Sequence, residues 1–443
     1  LKKWKKWMGL SFLCLMVAGC SPGGPDDTND DAGGTDDSGS ASEEGQTTIR
    51  FSWWGNDERH DLTQEMIELF EEKNPDISVE PEYTGWDSYW ERLTTQAAGE
   101  NLPAVVQMDN SKLTEYISSG LALDLNNLID EGTINMEDVN DVYQDMLVVD
   151  ESTYAISAGS NGLATIYNQD LFEEYDINLE PGYTYEDLEE EMARLSEEEG
   201  EGFWGYDFVK AEYETFFHYA RQFDQHFYNQ EGTGVGFENE TLENFLSIVT
   251  AWIDEGTATP HDVTVEINES GESMVANEEA GIASAASNGL IGVQTLAEAD
   301  LGLNVMPNAA DGEKSGNWVR PSMSFMISSN VSEEKQEAAA KLIDFITNDQ
   351  EANEILRAER GVPIAAQVRE NLVEEVDPTV QETFEFLEVL EERAGDPEPL
   401  PPPGEAEVRA AFDRMLESVK YDDMTIEEGV ESFIQEAEQI LNQ

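Results

Sequence analysis

The sequence predicts an α/β protein with room for two or three domains, and three observations carry that expectation. Strand and helix signals alternate after position 47. Arg50–Trp54 reads as a strand, and Gly55-Asn56-Asp57 breaks it before a helix that starts near Asp61. Ile77, Val79 and Tyr83 alternate as a second strand, with Pro81 placing it at a sheet edge. Trp86 opens a second helix that runs to Ala98-Gly99, and Val105–Met108 is a short buried strand. That order implies a βαβ sheet with polar loops at the strand carboxyl ends, where α/β proteins place ligands. A length of 443 residues gives ample core. Finally, the two cysteines, Cys14 and Cys20, both lie in the opening segment, so the body folds without a disulfide or a thiolate metal site.

Charge narrows the function classes. There are 96 acidic and 23 basic residues, for a net charge of −73. The acids are spread over elements that also carry apolar stripes, which describes a solvated carboxylate surface on a folded body. Such a surface suits high salt, where counterions screen self-repulsion. It excludes nucleic-acid binding, which needs a basic stripe. The spacing of His218, His226 and His261 offers no zinc motif, so no metal and no cofactor is expected.

In chain order, Lys2, Lys3, Lys5 and Lys6 precede the apolar run Met8–Val17, which is too short to span a membrane. Val17-Ala18-Gly19-Cys20 resembles a bacterial lipobox. Residues 1–19 are then a lipoprotein signal peptide. Cys20 carries the lipid, a palmitate-type anchor, and holds the chain at the cell membrane on the extracytoplasmic side. Residues 20–46, rich in Gly, Pro, Asp, Ser and Thr, read as an acidic tether.

Binding chemistry concentrates at strand ends. Two tryptophans at the mouth of a strand-to-helix turn, followed by planar polar groups, suit a sugar ring, which offers apolar C–H faces and a rim of hydroxyls. The stacking candidates are Trp53 or Trp54, Trp86 and Trp318; one of the adjacent pair is expected in the core, because strand neighbours face opposite ways. Asn56, Gln107, Asp109 and Asn161 are the polar candidates. Further on, Tyr183–Glu199 reads as a helix, and Phe203–Tyr206 and Phe216–Tyr219 are dense aromatic patches. Leu242, Phe245, Leu246, Val249 and Trp252 form a core stripe. Two apolar helical stripes follow at Val380–Leu390 and Val408–Val419. Thr425–Glu428 has capping-box spacing, and Pro397–Gly404 cannot be helical throughout.

WWGNDERH, the stretch from Phe70 to Asp109, Tyr154–Phe172, Pro321–Asn330, the following EEKQEAAAKLIDFITNDQEANEIL and RGVPIAA together resemble family 1 extracellular solute-binding proteins of ABC importers. These are the oligosaccharide receptors related to maltose-binding protein. The resemblance implies a two-lobed periplasmic-binding-protein-like fold of type II, each lobe a mixed sheet flanked by helices, with three inter-lobe crossings. Lobe 1 would be 47–156 and 321–361, and lobe 2 would be 157–320 and 362–443. Hinges would lie at Ser157–Asn161, just before Pro321, and at Gly361–Ala365. The last helices would pack on the second lobe, and a loop near Pro397–Gly404 would approach the cleft. The resemblance also places Arg59, His60, Arg320 and Arg360 near the cleft or the crossings. At Ser284, Ser287 and Asn288 the chain has small polar residues where the family commonly has aromatics.

WWGNDERHD, GWDSYW, QMDNSKLTEY, ERGVP and PEPLPPPGEAEV are most similar to the group serving pectin and rhamnogalacturonan fragments. Arginines retained at the cleft of so acidic a chain fit a uronate, because the guanidinium forks onto a carboxylate. The implied activity is binding rather than catalysis. The chain would be a monomeric receptor that closes on an oligosaccharide and passes it to the transmembrane subunits of an ABC permease. The alternatives are a surface glycosidase or lyase, and an adhesive carbohydrate-binding lipoprotein.

Overall fold

A computed structural model describes residues 45–442 other than 210, 271 and 272. The expected signal peptide, Cys20 and nearly all of the tether fall outside the described residues. From Gly45 on, the chain forms one compact unit.

An eight-stranded mixed sheet organises the unit. Its strand order is Ile77–Thr84, Thr47–Trp54, Val105–Met108, Val319–Ile327, Ala155–Asn168, Ala280–Ala286 and Trp204–Asp207, with Leu301–Asn304 also paired to Ala155–Asn168. The first three strands are parallel, and Ile77–Thr84 is the edge that Pro81 implies. Between them runs Asp57–Lys73, a helix that begins four residues before the sequence expectation. The reason is local: the Asn56 side chain accepts from the Arg59 amide at 2.9 Å, so Asp57 is already in the first turn, with Asp57 and Glu58 at the positive end of the dipole.

The strand Ala155–Asn168 ties the two halves of the sheet together. Its first half pairs antiparallel with Val319–Met326, and its second half pairs with Ala280–Ala286 and Leu301–Asn304. The register slips between Pro321 and Ser324. There a third segment joins, through a bridge between Ser160 and Val362. Three crossing segments thus meet at one place, and the close approach explains the small residues. A Cβ on Gly159 would sit 2.8 Å from the Arg360 carbonyl oxygen, and Gly361 has φ +107°.

The other helices follow their sequence signals. Tyr185–Glu199 opens with a full capping box from Thr184 and Asp187, and Ile426–Leu441 with one from Thr425 and Glu428. Leu242, Phe245, Leu246, Val249 and Trp252 are all buried. Glu405–Lys420 and Ile426–Leu441 pack on each other and on the helices Glu212–Arg221 and Asn239–Asp254. They enclose a core around Phe216, Phe227, Trp252, Phe412 and Phe433. A separate, larger core runs through the sheet from Ile49 and Phe51 to Phe325 and Leu387.

Candidate functional site

A cavity of about 520 Å³ opens where the crossings meet the strand ends. Each wall comes from a different part of the chain. Asp109, Asn110 and Ser111 begin a helix at the end of Val105–Met108. Asn161 and Trp318–Ser322 come from the crossing strands. Tyr213, Glu214 and Phe217 lie along the helix Glu212–Arg221, and Glu405 and Arg409 lie on the first turns of Glu405–Lys420. Pro397–Pro401 closes a further side.

One wall is aromatic. Phe217 and Trp318 stack with ring centroids 6.5 Å apart, and Tyr213 meets Phe217 edge-on at 5.0 Å. Arg221 lies 5.3 Å from the Trp318 ring and holds that ring from behind.

The rim is charged, and its two arginines differ. Arg409 forks onto Glu214 at 2.6 and 3.2 Å and lies over the Tyr213 ring at 4.9 Å. Burial works against its charge, but Glu214, Asp413 and Glu405 together outweigh burial and hold its pKa up. Arg320 donates from Nε to Asn161 Oδ1 at 2.8 Å and, among the described residues, has no carboxylate at ion-pair distance. Burial lowers its pKa, opposed by the more distant Glu214 and Asp109. Burial also raises the pKa of Glu405, with Arg409 pulling the other way. Asp109 Oδ1 caps its own helix, accepting from the Ser111 amide at 3.0 Å and the Ser111 hydroxyl at 2.6 Å.

Of the residues singled out from sequence, Asp109, Asn161, Trp318 and Arg320 line this cavity. Asn288 stands behind it, its Oδ1 accepting from Asn161 Nδ2 at 3.4 Å. The rest gather one or two strands away. Trp53 is the core member of the adjacent pair, fully buried, its Nε1 donating to His60 Nδ1 at 3.2 Å. His60 packs on Tyr83 at 4.4 Å, and burial lowers its pKa. Arg59 is paired with Glu359 at 2.8 Å, and Asn56 caps the helix. Arg360 donates to Gln107 Oε1 at 2.9 Å and to Thr63 Oγ1 at 2.7 Å, while Gln107 Nε2 donates to the Trp54 carbonyl at 3.2 Å. Trp54 is buried against Trp86 at 5.0 Å, and Trp86 itself is 45% exposed.

Tyr213, Glu214, Phe217, Glu405 and Arg409 were not reached from sequence. Tyr213 and Phe217 carry a usable signal, since they stand four apart on one helix face. Arg409 carries none: its partner Glu214 is 195 positions away.

The model of the bacterial extracellular solute-binding proteins matches residues 65–386. A family 1 extracellular solute-binding protein from Alicyclobacillus acidocaldarius shares the fold with a TM-score of 0.78 at 24% identity, covering 91% of this chain and 100% of that one. A periplasmic oligogalacturonide-binding protein from Yersinia enterocolitica gives 0.76 at 21% identity, covering 89% and 99%. In sequence, a Brucella abortus chain named as a binding protein is 26% identical over 203 residues, 44% of this chain and 47% of its own length. The chain therefore spans about half the length of that curated relative. With the family model matched over most of its length, the chain belongs to the bacterial extracellular solute-binding proteins.

Proposed function

We propose that this chain is the receptor of an ABC sugar importer and that it takes a uronate-containing, pectin-derived oligosaccharide into the cavity beside Trp318. One observation carries the reading. Arg320 is a cavity cation with no carboxylate at ion-pair distance among the described residues, in a chain with 96 acids. It stands next to the aromatic wall of Phe217 and Trp318. A uronate ring fits both, its C–H face on the aromatic faces and its carboxylate on the guanidinium. The Yersinia enterocolitica neighbour, an oligogalacturonide-binding protein, supports the same class.

In this reading the lobes are 47–156 with 321–361, and 157–320 with 362–443. They close by hinge motion at the three crossings, because ligand touches both only when closed. A lipid on Cys20 holds the monomeric receptor outside the cytoplasm, within reach of the permease subunits that take the sugar. The acidic surface is an adaptation to high salt. The melting temperature should therefore rise from dilute buffer to molar salt; equal melting in both would remove that part.

The test is a ligand panel in molar salt, read by tryptophan fluorescence and thermal shift. Maltodextrins, xylo-oligosaccharides, oligogalacturonates and rhamnogalacturonan fragments would be compared. Saturable shifts with the acidic fragments alone are expected. Shifts with neutral sugars alone would keep the receptor and discard the uronate. Hydrolysis of a bound sugar would instead favour an enzyme, with the half-buried Glu405 as general acid.

A further inference from the structure

The segment Asp396–Gly404 crosses the cavity from wall to wall. It has proline at 397, 399, 401, 402 and 403, so most of its φ angles are fixed and it is stiff. One end is clasped to the wall formed by Glu212–Arg221. Arg221 donates to the Glu398 carboxylate and to the Asp396 carbonyl, and His226 Nδ1 lies 3.2 Å from the same carboxylate. The Gly395 amide adds a bond to the Asn317 carbonyl at 2.9 Å. The other end is tied to the opposite wall, where Thr114 Oγ1 donates to the Pro401 carbonyl at 3.0 Å.

The two ties sit at equivalent places. Thr114 and Arg221 each lie about one helical turn beyond a cavity-lining residue, Ser111 and Phe217 respectively. The helix Asn110–Ser118 packs on Val319–Ile327, which flanks Val105–Met108 on one side. On the other side the strand ends lead to Trp54 and the half-exposed Trp86. The strap therefore closes one side of the cavity, and the exposed tryptophan lies outside the cavity lining, beyond Val105–Met108 in the sheet.

We propose that Asp396–Pro401 is a fixed end-stop, so that the receptor reads one terminus of a short oligosaccharide and lets the rest of the chain continue toward Trp86. The inference rests on the receptor reading above. A flexible lid would yield to a longer ligand, but this segment cannot do so at low cost. The Arg221 side chain is 4% exposed and Glu398 13%, so unclasping strands two charges in a poorly solvated place. Prolines on both sides of Glu398 leave the strap few other conformations. A polymer interior cannot thread such a site, whereas a chain end can abut it.

The full chain in molar salt would be titrated with oligogalacturonates from dimer to octamer. Each would be unlabelled, or carry a bulky fluorophore on the reducing or the non-reducing end. The end-stop predicts that a label on one terminus weakens binding by about a hundredfold while the same label on the other end changes it by less than about threefold. Glu398→Gln loosens the clasp, and Pro399→Gly softens the strap with the clasp in place. Each should narrow the ratio between the two labelled ligands by about tenfold or more. Equal tolerance of a label at both ends, or tight binding of a doubly labelled oligomer, would overturn the end-stop while leaving the receptor intact. Silence from the whole ladder would overturn the uronate reading and the end-stop together.

Discussion

Around Trp53, an arginine pair, a histidine and several aromatic rings are used up by the fold; around Trp318, one arginine and an aromatic wall border a cavity. In the first region Arg59 is held by Glu359, Arg360 by Gln107 and Thr63, and His60 by Trp53 and Tyr83. In the second, Arg320 has, among the described residues, the neutral Asn161 and no carboxylate at ion-pair distance, and Phe217 and Trp318 border the cavity. Residue type therefore does not make a site. An arginine is free to bind a ligand only where folding leaves guanidinium nitrogens without an acceptor, as it does among the described residues at Arg320, whose bond to Asn161 is from Nε.

The largest break of that comparison is Arg360→Ala. It strands Gln107 and Thr63 without their donor in the core, so the protein should lose about 3 kcal/mol of stability in guanidinium unfolding. Ligand affinity of the folded fraction should hold. Loss of affinity at unchanged stability would make the two regions one site.

Arg320→Ala should do the opposite. Removing a charge-assisted fork should weaken an acidic oligosaccharide by about thirtyfold, with neutral sugars within about threefold, by calorimetric titration. Equal losses for both would end the uronate role. Phe217→Leu should cost acidic and neutral ligands alike, by about fivefold, because stacking ignores ligand charge.

A further effect is in pH. Burial pushes His218 down to about 3, against an ordinary 6.5. The unfolded chain then binds the extra proton between those values, so stability should fall as pH drops from 6.5 toward 3. His218→Gln should flatten that part of the melting-temperature profile. His226 has the opposite sign. The hydrogen bond to Glu398 raises its pKa, so its contribution is present below the unfolded value and fades as pH rises through the folded one.

Local signals were legible where neighbours in sequence settle the matter. Pro81 at the edge strand, the capping boxes at Thr184 and Thr425, and the core stripe from Leu242 to Trp252 all depend on spacings of a few residues. The helix start slipped to Asp57 because one side chain, Asn56, captured one amide. At the cavity, Trp318, Asp109 and Asn161 could be named because strand ends point to a cleft, and Arg320 because the family resemblance puts it near the crossings. Arg409 and Glu405 could not, since their meaning comes from Glu214 and Tyr213 on another helix.

Alternation of strands and helices, the acidic surface and the family motifs were thus properties of the sequence itself, set by periodicity, composition and short-range hydrogen bonding. Which arginine stays free, which tryptophan keeps an open neighbour and where a proline segment spans the cavity were decided only by tertiary structure. The physical reason is that a charge or a ring is satisfied or left available by partners that folding brings from tens to hundreds of residues away, and no local pattern records their arrival.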